Sequence, residues 1–316
     1  LLFACFQVKA QENEKKLVPF AEIFTDFHFS PANDTLSPGF AISRAWFGGD
    51  FITESKIKGS VIINLTKLID TVLHEGNNSP VREASIGYDN GKIKVSLGIT
   101  GTRLMQYQLR FYDKRYIANT FQSLNGYGYL FDLGLAVDYR INKLAGIDFT
   151  LMNGDGIRKN PEGGLKASLG LNLFPKEDAI IRLYCDTRKI RGIWQTTLVG
   201  FAGFTWDIIK IGAEINYKTN HDIVKGHNAW GISSTGSVAL SEKLSLFARY
   251  DYSASVTAPG DVLPWNNGRD GKLIILGAQR TLGRNARMAI DYQAGIPNDI
   301  NKMASDMIYL HAHFRF

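Results

Sequence analysis

Leu165–Phe174 reads LKASLGLNLF, and its period is two. Leu165, Ala167, Leu169, Leu171 and Leu173 share one side of an extended chain, and Lys166, Ser168, Gly170 and Asn172 share the other. Successive Cβ atoms of a strand point to opposite faces, so the segment has one apolar face and one polar face. Phe131, Leu133, Leu135, Val137 and Tyr139 alternate in the same way with Asp132, Gly134, Ala136, Asp138 and Arg140. Ile209 to Lys218 and Leu244 to Tyr252 repeat the pattern. About sixteen such segments of roughly ten residues are expected, the length a tilted strand needs to cross a bilayer. They are 18–30, 40–49, 57–65, 82–89, 92–101, 129–140, 144–153, 165–174, 179–186, 194–205, 208–218, 229–239, 243–253, 272–281, 286–294 and 306–316. The phase is ambiguous in 194–205 and 272–281.

The connections alternate between short and long. Asn90-Gly91 is the strongest hairpin signal, because both residues tolerate a positive φ. Tight turns are also read at 141–143, 175–178, 206–207, 241–242 and 282–285. Longer segments occupy 31–39, 66–81, 102–128, 154–164, 219–228, 254–271 and 295–305. Tight turns at one end and long loops at the other describe an up-and-down transmembrane β-barrel. An even strand number returns the chain to its starting side, which places both termini with the turns, in the periplasm.

Composition is compatible with this architecture. The 316 residues are 45% hydrophobic and 21% charged. No run of about 18 apolar residues occurs, so no spanning helix is available. The formal net charge is +6, but Lys and Arg are scattered rather than clustered, which disfavours nucleic acid as a partner. The opening LLFACFQVKA resembles the tail of a secretory signal peptide cleaved after Ala10. Residues 1–10 are therefore expected to be a signal remnant, and 11–316 a single barrel domain. A lipid-attachment site at Cys5 is the rival reading. Cys5 and Cys185 are the only cysteines, so loss of the first leaves no intramolecular disulfide.

Aromatic residues on the apolar faces fall toward strand ends, where amphipathic rings favour the headgroup zone. One expected girdle holds Phe47, Tyr88, Tyr139, Trp206 and Phe316. The other holds Phe29, Tyr217, Tyr252 and Tyr292. The last strand, DMIYLHAHFRF, alternates up to a terminal Phe. It resembles the signal read by the machinery that inserts barrels into outer membranes, which makes that machinery an expected partner beside the lipid itself.

Gly87 to Gly156 carries a closer resemblance. The Asn-Gly hairpin, the stretch RFYDKRYI, the strand FDLGLAVDYR and the ending MNGDG are similar to the phosphate-selective porin O/P family of Gram-negative bacteria. FAISRAWFG resembles that family's early Arg-aromatic strand. The resemblance implies a trimeric, sixteen-stranded channel whose third extracellular loop folds into the lumen.

A barrel of this size encloses water, and the charges at its narrowest point set what passes. The long segment 102–128 is the candidate constriction, with Arg103, Arg110, Lys114 and Arg115 against one acid, Asp113. By alternation Arg44, Lys58, Lys94, Arg140, Lys166, Arg182, Lys210, Arg249, Arg287 and Arg315 point inward among the cations. Acids including Glu22, Asp26, Asp132, Asp138, Asp148, Asp186, Glu214, Asp251 and Asp291 nearly balance them. Most of these residues are expected to form ion pairs that stiffen the wall. The basic loop then tips the pore toward small anions such as phosphate, weakly and without a tight phosphate site.

His311 and His313 lack a carboxylate cluster in sequence, so no metal site is assigned, and no motif calls for a cofactor. The six His residues suggest no Ser-His-acid set, so an enzyme is not expected. The competing function is a barrel with a closed lumen that anchors a larger assembly.

Overall fold

The structure is a computed structural model describing residues 16–31, 38–66, 80–157 and 163–316. The expected signal remnant and Cys5 lie outside the described residues. Sixteen strands form one closed antiparallel ring. They are β1 (Lys16–Phe29), β2 (Gly39–Ile52), β3 (Ile57–Asn64), β4 (Val81–Asp89), β5 (Ile93–Gly101), β6 (Phe131–Arg140), β7 (Ala145–Met152) and β8 (Lys166–Lys176). The second half comprises β9 (Ala179–Ile190), β10 (Ile193–Trp206), β11 (Ile209–Lys218), β12 (Ala229–Ala239), β13 (Leu244–Ser255), β14 (Gly271–Thr281), β15 (Ala286–Pro297) and β16 (Ser305–Arg315). Each strand pairs with its sequence neighbours, and β1 closes on β16 from Glu22↔Arg315 to Phe29↔Ile308. Beyond that ladder, Phe316 exchanges two backbone hydrogen bonds of 3.0 Å with Ala21. Helices α1 (Gln106–Tyr112) and α2 (Phe121–Leu124) lie in the segment between β5 and β6.

The side-chain distribution is the reverse of a water-soluble protein's. Leu169, Leu183, Ile211 and Ile290 are exposed on the outer face. Arg182, Asp148, Asp186, Asn172 and Asn216 are almost wholly buried inside. A ring of this kind leaves no unpaired strand edge, which is the condition for a sheet to cross hydrocarbon.

The hairpins differ in detail from their sequence reading. At Asn90-Gly91 only Gly91 has a positive φ, of 83°. Asn90 acts through its side chain instead, its Oδ1 accepting from the amides of Lys92 and Ile93 at 3.0 and 2.8 Å. The turn that uses two left-handed residues is Arg191-Gly192, with φ of 48° and 82°. It joins β9 to β10 on the side of the long loops, so that end of the barrel is not uniformly long-looped.

The interior is not uniformly polar either. Val199 and Phe201 on β10 and Ile275 on β14 are buried inside, at the two places where the sequence phase is ambiguous. They pack against residues 104–130, which gives the inner wall apolar side chains where a free lumen would have polar ones.

Leu183 is 57% exposed at the middle of the outer face of β9. Leu183→Arg should cost about 2–4 kcal/mol of folding free energy in lipid vesicles, the range for a cation at the bilayer midplane. Ser85→Arg, placed beside an internal cavity, should cost less than about 1 kcal/mol. Denaturant titration of the two variants in vesicles measures both.

Candidate functional site

The interior is organised by the segment between β5 and β6, which bonds to strands on many sides of the ring. Arg103 donates to both oxygens of Asp138 on β6, at 2.7 and 2.6 Å. The carbonyl of Arg103 accepts from Arg182 on β9 at 2.6 Å. Gln122 donates to Glu214 and Asn216 on β11 at 2.5 and 3.0 Å. Arg249 on β13 donates to the Asn119 carbonyl at 2.5 Å, and Arg287 on β15 pairs with Asp113 at 2.7 Å. Tyr116 donates to Gln279 on β14 at 2.8 Å and stacks on His313 of β16, with ring centroids 5.2 Å apart.

Apolar packing supplements these bonds. Tyr116 and Ile117 join Phe24, Phe247 and Ile275 in one cluster, and Leu104, Met105, Phe121 and Tyr127 join Tyr184 and Val199 in another. Phe111 lies over Gly203 and Gly212, which face each other across β10 and β11. A Cβ on either glycine would stand 2.6 or 2.8 Å from the ring, so both positions require the missing side chain for the ring to approach.

The inner wall has two halves. On one, most charges are paired and dry, while Glu214 accepts from Gln122 and Lys218 donates to the carbonyls of Gly126 and Tyr127. Arg182 bonds Asp148 at 2.6 Å and also donates to Asn172, with both members of the ion pair wholly buried. Arg249 pairs with Asp251 at 2.6 Å, and Lys166 with Asp186 at 2.9 Å. Desolvation consumes most of the attraction within such pairs, so they fix geometry more than they add stability. Their charges are compensated and present little net field to the interior.

The other half, along β1–β5 and β16, borders two cavities of about 430 and 540 Å3. Seven Lys and Arg side chains against three acids line the first, and seven against two line the second. Of the cations expected from sequence, Lys94 and Arg103 line the first and Arg44 and Arg287 the second, while Arg110 and Arg115 border both. Lys114 is buried, its Nζ 5.7 Å from the centroid of Phe247. Lys210 sits with its Nζ 4.7 Å from the Phe111 ring. Burial first, and the neighbouring Lys210 charge second, push the Lys114 ammonium down to about 8.

Arg82 and Trp46 are not distinguished by the alternation, yet Arg82 borders both cavities and Trp46 the second. Strict alternation places Arg82 with Ile86 and Tyr88 on the outer face. A register shift between Ile62 and Ile63 leaves Arg82 without a partner residue and turns it inward onto Trp46. The shift needs the pairing of β3 with β4 and cannot be read from β4 alone.

Among the expected girdle residues, Tyr88, Tyr139, Trp206 and Phe316 lie at the turn-side ends of the ring, with Phe47 deeper in β2. Phe29, Tyr217 and Tyr252 lie toward the loop side, and Tyr292 stands nearer the middle of β15. All but Tyr139 and Tyr252 are exposed, and Tyr252 is partly covered by Trp230 at 5.4 Å.

A closed sixteen-stranded antiparallel barrel with a polar interior is the fold of the outer-membrane porins. Among solved structures the chain is similar to Salmonella typhi OmpF in complex with daunomycin, at 13% identity over 97% of this chain and 99% of that one, with a TM-score of 0.71. It is similar to an anion-selective porin from Comamonas acidovorans at 10% identity, over 96% and 100% of the two chains and a TM-score of 0.70. A trimer form of the Vibrio cholerae outer-membrane protein OmpT matches at 14% identity, over 96% and 99%, with a TM-score of 0.63. No protein-family model and no curated protein matches the chain, and the narrower resemblance to the phosphate-selective porin O/P family therefore gains no support from them.

Gly203→Leu should displace Phe111 and loosen the segment from β10 and β11. Limited proteolysis of the folded barrel should then cut within residues 102–130 at least ten times faster than in the parent. An unchanged cleavage rate would mean that Phe111 does not hold the segment.

Proposed function

We propose that the protein is an outer-membrane porin that lets small hydrophilic solutes diffuse passively, with a weak preference for anions. In this reading residues 102–130 are the third extracellular loop, folded into the lumen as its constriction. The observation that carries it is the one-sided bonding of that segment: it is fastened chiefly to β9–β16, and the cavities beside it lie against β1–β5 and the turn-side ends of β15 and β16 with cations in excess. Charges lining the narrowest part of a water-filled pore decide which ions enter. Arg110, Lys114 and Arg115 contribute from the loop, and Arg44, Lys94, Lys210 and Arg287 from the wall. Phosphate and other small anions are solutes of the right kind.

The exposed apolar band then faces lipid, with aromatic girdles at its rims. The tight turns and chain termini face the periplasm, and the terminal Phe316 strand is what the insertion machinery reads. Three such barrels associate, as in the OmpT trimer form. No step in this function calls for catalysis or a cofactor.

Reversal potentials in planar bilayers under a potassium chloride gradient test the proposal. Anion preference is expected, and clear cation selectivity would contradict it. A barrel that inserts but carries no current would favour the closed anchoring barrel instead. The preference should also depend on pH. With its ammonium near 8, Lys114 is charged below that value and neutral above it. Anion preference should therefore fall between pH 7 and pH 9, and Lys114→Gln should make that fall smaller.

A further inference from the structure

The richest unassigned feature of the interior is a group of arginines around Trp46. The guanidinium carbon of Arg82 lies 3.5 Å from the Trp46 ring centroid, and that of Arg44 lies 3.8 Å from it. Two groups this close to one ring cannot share a face, so the indole is held between them. Arg115, from the loop, approaches the same ring at 5.2 Å, and Arg315 stands with Arg82 around Phe20 at 5.4 and 5.6 Å. Two β-bulges aim this set. One at Ser43, between the pairs Phe24↔Arg44 and Thr25↔Ile42, moves Arg44 and Trp46 to the inside while Phe40 and Ile42 stay outside. The other turns Arg82 inward.

The group is rich in donors and poor in acceptors. One acid of the group, Glu22, is shared between Arg44 at 3.5 Å and His313 at 3.4 Å. Glu83, next in the chain to Arg82, accepts from Ser85. Among the described residues neither Arg82 nor Arg115 makes an ion pair. Nε and Nη1 of Arg82 and Nε1 of Trp46 are buried donors without an acceptor, and Trp46 is only 7% exposed. Buried donors are almost always satisfied in folded proteins, and leaving a charged one unpaired is costly. Four guanidiniums against Glu22 and Glu83, with Arg110 bordering the same space and Asp50 paired with Lys58 at 2.7 Å, leave an excess of at least two positive charges.

The shape of the arginines narrows the ligand. Arg82 lies over the Trp46 ring at 3.5 Å and meets Phe131 at 4.4 Å, the two rings standing at 87° to each other, and its Nε and Nη1 donors are left without a partner. In-plane donors of a guanidinium match the lone pairs of a carboxylate. A single-charged anion would leave one excess charge unmet. We propose that Arg44, Arg82 and Arg115 around Trp46, with Arg315 beside Arg82 at Phe20, form a binding site in the lumen for a small organic anion bearing two carboxylates. The site deepens the porin reading by naming a solute class held on its way through the barrel.

Titration calorimetry on the detergent-solubilised full chain tests the site, with succinate and acetate as probes. Succinate should bind at least ten times more tightly than acetate. Arg82→Gln should weaken succinate at least tenfold. Arg115→Gln should weaken it several-fold, and because Arg115 belongs to the loop rather than the ladder, this variant keeps the test usable if Arg82→Gln fails to fold. Lys143→Gln, in the turn between β6 and β7, should leave binding unchanged. Equal affinity for acetate and succinate, or wild-type binding by the folded arginine variants, would overturn the site. Bilayer recordings separate its failure from that of the porin reading. Anion-preferring conductance without succinate binding rejects the site alone, and succinate binding by a silent barrel supports the site while rejecting the open pore.

Discussion

A peptide group in hydrocarbon has no water to bond, and this constraint governs the rest of the molecule. The sixteen strands satisfy it by closing on themselves, with β1 laid against β16 and Phe316 bonded back to Ala21. Once the ring is closed, period-two alternation sends one set of side chains to the outside and the other to the inside. Leu169 and Leu183 on the outer face and Arg182 and Asp186 on the inner follow from the ladder and its environment together.

Closure creates an interior, and the segment between β5 and β6 divides it. Along β9–β16 the wall and the segment interlock through hydrogen bonds, two apolar clusters and the Phe111 ring laid over paired glycines. Ion pairs there, such as Arg182 with Asp148, are compensated and buried. Along β1–β5 the cations outnumber the acids and border open space. The functional proposal and the carboxylate site both rest on this asymmetry, since a lumen with evenly balanced walls would favour neither sign of charge.

The barrel itself was legible in the sequence because lipid imposes a simple rule on every strand. All sixteen segments read from alternation are strands, with ends displaced by a few residues. The lapses have physical causes. The phase was ambiguous in 194–205 and 272–281 because Val199, Phe201 and Ile275 pack against a distant segment rather than against water. Arg82 was missed because one inserted residue reverses the phase that follows it, and such a bulge is defined by the partner strand. Arg103 was legible as a cation but not as the partner of Asp138, since the two are brought together only by the course of the loop. Alternation reports which face a side chain is on, whereas the charge a solute meets depends on pairing across the lumen.

The central claim is that the apolar face of the ring contacts lipid and the polar face does not. Single-tryptophan variants reconstituted in vesicles of brominated lipid measure this directly, since bromine quenches only the indoles it can approach. Trp194 and Trp206 lie 55% and 68% exposed on the outer face, and Trp46 lies buried within. The account predicts strong quenching of Trp194 and Trp206 and little of Trp46. Strong quenching of Trp46 with the other two protected would contradict it.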